Sequence, residues 1–131
     1  RPPPPTSTSA PAAFTIRSIG ARLSSRSADP RVLEPGRKLP WEGPVFAHAL
    51  PVLYAVYPVP NGNWMVDAMP PEPGSFDQRF PLPEGWAGLR DADLAAACGV
   101  ADAVFAHARR FVGAARSREG AMAMARRAIG A

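Results

Sequence analysis

Cysteine is nearly missing from this sequence: Cys98 stands alone in 131 residues, which excludes an internal disulfide and a cysteine-based zinc site. It lies in the run Leu94-Ala95-Ala96-Ala97-Cys98, where the expected role is a buried, inert thiol. Histidine is almost as scarce, with His48 and His107 only. The acids Glu72, Asp77, Glu84, Asp91 and Asp93 show no spacing that commits them to a metal ion, and they are read as caps or solvated charges. No apolar run approaches the roughly 20 residues that a membrane-spanning helix needs. Lysine is reduced to Lys38, the other fourteen basic residues being arginine. With so much alanine beside it, that bias reads as nucleotide composition and carries no function. Acids are missing altogether from residues 1–28.

What is abundant is proline, 17 residues unevenly placed, and positive charge that is also unevenly placed. Residues 1–40 carry seven cations against two acids; residues 41–131 carry eight against nine. The net charge of +4 therefore belongs to the N-terminal part. This predicts two regions: an extended, basic, low-complexity arm over 1–40 and one small domain over 41–131. Pro2–Pro5 favour polyproline II or no fixed structure. The Arg- and Ser-rich stretch 13–28 has the composition of a transit peptide, which points to an organelle, mitochondrion before plastid. Arg17, Arg22, Arg26, Arg31, Arg37 and Lys38 are the candidate partner-binding cations of the arm. They suit RNA, an anionic membrane surface or an acidic protein groove, or else form a solvated tail.

The domain reads as α+β. Leu33–Pro51 is broken by prolines and is expected to be extended, with Trp41, Val45, Phe46 and Leu50 as anchors. Val52–Tyr57 and Trp64–Met69 flank the turn signal Pro60-Asn61-Gly62-Asn63 and predict a β-hairpin. Pro70–Pro83 can be neither helix nor central strand, because proline removes donors and fixes φ. Arg90 or Asp91 opens a short helix ending at Gly99. Ala103–His107 predicts a third strand, with Phe111-Val112 as a short continuation. Ser117 is a candidate N-cap for a last helix running to Ile129, with Met122, Ala125 and Ile129 on one apolar face. The expected architecture is a small mixed sheet of three or four strands with two helices. Trp64, Trp86 and Tyr54 can stack bases in principle, but in so small a domain they are read as core.

Three multi-residue motifs, in order, carry a resemblance. They are VLYAVYP followed by NWMVDAMPPEPGSF, then PLPEGWAGLRDADL, then VFAHARRFVGAARSREGAMAMA, with Pro40-Trp41 just before them. Together, over Val52–Ile129, they resemble the C-terminal domain of the Myg exonuclease family (melanocyte-proliferating-gene proteins), relatives of the DHH phosphoesterases. The resemblance implies a two-lobed, metal-dependent exonuclease acting from the 3′ end of RNA, with metal ligands on the N-terminal lobe. Residues 1–40 offer no such ligands, so no catalytic residue, no metal site and no cofactor is expected in this chain.

The C-terminal lobe of such an enzyme would contribute grip on the substrate. The family's His-Ala-Ser-Gly-Phe-Ile-Gly-Gly is matched by residues 107–114, where Arg109, Arg110 and Ala114 replace a serine and two glycines. Losing glycines removes backbone freedom where a loop would approach a ligand. The candidate phosphate- or RNA-binding residues are His107, Arg109, Arg110, Gly113, Arg116, Ser117 and Arg118. His107 either contacts phosphate or is structural; Arg109 and Arg110 either grip an RNA backbone or pair with acids. Arg116, Ser117 and Arg118 precede a helix N-terminus, a ready anion site.

Two functional readings follow. In the first, the chain is a non-catalytic accessory subunit of a large organellar assembly, its arm laid on protein subunits or RNA. In the second, it is the RNA-gripping half of a metal-dependent exonuclease whose catalytic lobe lies elsewhere.

Overall fold

The computed structural model describes residues 14–18, 21–36 and 41–130. β1 (Phe14–Ser18) and β2 (Ala21–Ser25) pair antiparallel as a two-stranded ribbon. There follow β3 (Val32–Leu33), α1 (Glu42–Ala47), β4 (Tyr54–Pro58), β5 (Trp64–Ala68), α2 (Asp91–Cys98), β6 (Ala103–Ala106), β7 (Val112–Ala115) and α3 (Arg118–Gly130). Strands β3 to β7 form one mixed sheet in the order β3-β4-β5-β7-β6, in which β3 runs parallel to β4 and the other neighbours are antiparallel. The fold is α+β, as the pattern predicts, with five strands in the sheet where three or four were expected and a third helix.

Each difference has a local cause. β3 is two residues long, too short for a period-two pattern to register. β7 reads Val-Gly-Ala-Ala, with one β-branched residue, so its strand signal is weak. Phe111-Val112 does not continue the third strand; the chain reverses at residues 107–110 and returns as β7. α1 carries Pro44, which read as a breaker, yet it sits in the first turn, where its missing N–H costs nothing.

β4 explains the layering. Tyr54 and Val56 face one side of the sheet, Ala55 and Tyr57 the other, and all four are buried. A strand covered on both faces is apolar throughout rather than alternating. On one side, α2 and α3 bring Leu94, Met122, Met124 and Ala125 against Tyr54, Val56 and Val66. On the other, Trp41 and Val45 pack with Leu33, Val52, Ala55, Tyr57 and Met69. Val32 and Leu33, which the sequence placed in the arm, are thus in the core, one on each side. Tyr57 keeps its hydroxyl paired by donating to Asp67 Oδ2 at 2.6 Å, and Tyr54 donates to the Pro81 carbonyl. Burial, together with that bond for Tyr57, pushes both phenols well above their ordinary range.

Two connections position the functional surface. The β4–β5 turn closes with Gly62 N–H donating to the Val59 carbonyl, and Gly62 holds a φ of 92° that favours glycine. The long irregular segment after β5 is pinned by Arg79, whose Nη1 donates to the carbonyls of Leu50 and Val52 at 2.8 and 2.9 Å. The Arg79 guanidinium also lies over the Phe46 ring, 5.6 Å from its centroid.

Candidate functional site

The start of α3 holds three of the expected anion-binding residues, and the structure engages two of them internally. Ser117 caps the helix: its Oγ accepts the Gly120 N–H at 3.0 Å and donates its own proton to Asp102 Oδ2 at 2.5 Å. The Asp102 carboxylate therefore sits where an external anion would, against the positive end of the helix. The fit is tight. A Cβ at Gly120 would lie 1.9 Å from Asp102 Oδ1, so only glycine leaves room for it.

Arg118 makes a two-pronged contact with Glu34, Nε to Oε2 at 2.5 Å and Nη2 to Oε1 at 2.8 Å. Glu34 is 1% exposed and the Arg118 side chain 43% exposed. The carboxylate holds the guanidinium pKa above its ordinary value. This fork ties the N-terminal segment to α3 across 84 residues of sequence. Arg116 points into solvent, 3.8 Å from Asp91 Oδ1.

The His107–Phe111 turn is organised differently. His107 N–H donates to the Val112 carbonyl at 2.9 Å and its carbonyl accepts from Arg110 N–H at 2.8 Å. Arg109 N–H donates to His107 Nδ1 at 3.0 Å, so the neutral ring carries its proton on Nε2. Arg110 takes a left-handed φ of 65° where the family motif has glycine, and is held there from two sides. Its carbonyl accepts from Leu82 N–H, and its Nε donates to the Leu82 carbonyl at 2.6 Å. Gly113 faces inward in β7; a Cβ there would stand 3.0 Å from the Phe105 carbonyl and 3.2 Å from Met124 Cε. That leaves His107, Arg109 and Phe111 exposed on the turn, the His107 and Phe111 rings 4.6 Å apart between centroids.

Facing this turn is a cleft of about 260 Å³ whose lining includes Glu42 of α1, Ser75, Phe76 and Asp77 of the loop after β5, and Arg109 and Phe111. Phe76, Glu34 and Asp102 were not singled out from the sequence. Phe76 lies in a proline-rich loop without periodicity, and no local pattern reports a pair as distant as Glu34 and Arg118. The Ser117-Arg118-Glu119-Gly120 string, with glycine at the third position after the cap, was the one available hint of something large beside it.

The arm cations divide. Arg31 forks onto Asp29, with Nε–Oδ1 3.0 Å and Nη2–Oδ2 2.9 Å, which lowers the Asp29 pKa and raises that of Arg31. Arg26 is exposed, its N–H donating to the Glu34 carbonyl. Arg17 and Arg22 stand opposite one another in β1 and β2. Arg37 and Lys38, like Pro2–Pro5, lie outside the described residues. Trp86 and Tyr54 are core and Trp64 is half-buried. Among the described residues no three of His, Cys, Asp or Glu come together as a metal-binding group, and no helix is long and apolar enough to cross a membrane.

Comparison with known proteins locates the chain. Residues 6–129 match the MYG1 exonuclease family, described as Uncharacterised protein family (UPF0160). The chain is 44% identical over 75 residues to the human MYG1 exonuclease, covering 57% of this chain and 20% of that protein. It is 47% identical over 70 residues to the Caenorhabditis elegans MYG1 protein C27H6.8, covering 53% and 21%. The Schizosaccharomyces pombe MYG1 protein C694.04c is 35% identical over 111 residues, covering 79% and 34%. The chain thus spans between a fifth and a third of the length of these relatives. No solved structure matches it significantly.

Proposed function

The chain belongs to the MYG1 exonuclease family, and from that premise we propose that it is a non-catalytic lobe that holds RNA while hydrolysis is carried out by a metal-bearing lobe outside it. The observation that carries this reading is the unequal engagement of its arginines. Arg118 and Arg110 are bound to groups of the fold, whereas Arg109 stands exposed on the turn with no side-chain partner among the described residues. An unpaired guanidinium beside an exposed histidine and aromatic rings suits a phosphate next to an unstacked base. Exposed Arg116 adds a further cation near the end of β7. The test is the affinity of the chain for single-stranded RNA across a salt series. Log affinity should fall linearly with log salt as counterions are released. Absence of binding, or binding indifferent to salt, would sink the proposal.

A second reading is favoured by the Glu34–Arg118 fork. It roots the Arg- and Ser-rich N-terminal segment in the domain, so that the segment leaves from a fixed point. In that reading the chain is an accessory subunit of a large organellar assembly, mitochondrial before plastid, and the segment lies on protein subunits or RNA. Gradient sedimentation of the native protein decides: co-migration with one large complex supports it, and a small free species removes it.

A further inference from the structure

We infer that the cleft between the 75–78 loop and the His107–Phe111 turn is a nucleobase site that holds one unpaired base against Phe76 and Phe111 and prefers bases bearing an amino group. The inference rests on the reading of the chain as an RNA-holding lobe and goes beyond it by naming what the lobe reads. Phe76 is 94% exposed, so its ring adds nothing to the packing of the fold. Yet the loop that presents it is fixed. Asp77 N–H donates to Ser75 Oγ at 3.0 Å, Gln78 Nε2 donates to the Phe76 carbonyl at 2.7 Å, and Arg79 N–H donates to the Met69 carbonyl at 2.8 Å. An ordered loop therefore offers a bare aromatic ring to solvent.

Phe111 lines the same cleft, is 41% exposed, and is backed by the His107 ring. Its carbonyl accepts from Ala68 N–H at 2.8 Å, which fixes its backbone to the last residue of β5. Two phenylalanines on one small cavity suit a flat guest, and stacking on aromatic rings is how unpaired bases are held. A cavity of about 260 Å³ is smaller than the usual site for a drug-sized ligand, a scale that suits a small flat guest such as a base.

The polar lining supplies the preference. Asp77 and Glu42 present carboxylates, which only accept hydrogen bonds, and Arg109 presents donors. Neither Asp77 nor Arg109 has a side-chain partner among the described residues. Adenine, cytosine and guanine carry an exocyclic amino donor to meet such carboxylates; uracil shows carbonyl oxygens there instead. Arg109 at the rim matches the phosphate that follows a base in a strand. A free nucleoside and a base within a strand share this chemistry.

The test uses the 131-residue chain with short fluorescein-labelled oligo(A), oligo(C) and oligo(U), read by anisotropy at one salt concentration. Oligo(A) and oligo(C) should bind at least about fivefold tighter than oligo(U). Phe76→Ala and Phe111→Ala should each weaken oligo(A) binding by about tenfold. Phe76→Ala should leave thermal melting unchanged, so its effect is one of binding. Asp77→Asn should narrow the gap between oligo(A) and oligo(U). Competition by adenosine assigns the site to free nucleosides as well; oligonucleotide binding without such competition assigns it to bases within a strand, and both support it. Binding that ignores both phenylalanines and base identity overturns the base site while leaving backbone gripping intact. No binding of any oligonucleotide overturns both.

Discussion

The start of α3 and the turn before β7 lie a few residues apart in sequence, and both present arginine beside small or aromatic residues. Their chemistry in the folded chain is opposite. At the start of α3 two of the three candidate residues meet a carboxylate of the protein: Ser117 meets Asp102, and Arg118 meets Glu34. At the turn the backbone of His107 and Arg110 is hydrogen-bonded, while Arg109, His107 and Phe111 are exposed and Arg109 and Phe111 line a cleft. The first region uses charge to hold the fold; the second leaves charge and aromatic surface for something else. A basic cluster at a helix N-terminus is therefore no sign of ligand binding when the fold supplies its own anion.

That comparison breaks most visibly at Gly120. Gly120→Ala drives a methyl group into the Asp102 carboxylate and should destabilise the chain by about 3 kcal/mol, as overpacking does. The urea midpoint measures it, and an unchanged midpoint would mean that Asp102 does not seat against the helix. Arg118→Ala comes next. It leaves the buried Glu34 carboxylate without its partner, which costs about 3–5 kcal/mol for a fully buried pair. Because the Arg118 side chain is 43% exposed and water can enter its place, roughly 2 kcal/mol is expected here. Adding Glu34→Gln to Arg118→Ala should restore part of the loss, since the uncompensated charge is then gone.

A smaller effect sharpens the contrast from the acid side. Asp29 is held below its ordinary pKa of 3.8 chiefly by its fork with Arg31. Its contribution is thus present above the unfolded pKa and lost as pH falls through the folded one. Asp29→Asn should flatten that part of the acid-unfolding curve below about pH 4. An identical acid limb in the variant would show that the exposed fork contributes nothing.

How much of this was legible in the residues differs between the two regions. The β4–β5 hairpin, the α2 stop at Gly99 and the Ser117 cap are local, and local pattern finds them. Turn signals, a left-handed glycine and a cap each act within a few residues. The Glu34–Arg118 and Ser117–Asp102 contacts join positions that no spacing relates, so the arginine and serine read as available for an anion. Val32 and Leu33 were invisible for another reason: a two-residue strand is fixed by its neighbour in the sheet, not by its own propensity. Phe76 was passed over because it lies in a proline-rich loop without periodicity, and only its exposure identifies it.

The smallest expected effect on stability is the one that decides the comparison. Among the described residues Arg109 donates only its backbone N–H, to His107 Nδ1, and its side chain has no hydrogen-bond or ion-pair partner. Arg109→Ala should therefore shift the urea midpoint by less than about 0.5 kcal/mol, the range of ordinary surface changes. In RNA binding the same substitution should reduce the slope of log affinity against log salt by about one, the loss of a single phosphate contact. If Arg109→Ala instead destabilises the chain as much as Arg118→Ala, the turn is built like the helix start, with its charge holding the fold. If it changes neither stability nor salt slope, the guanidinium is only solvated, and any contact with RNA falls to other cations such as Arg116.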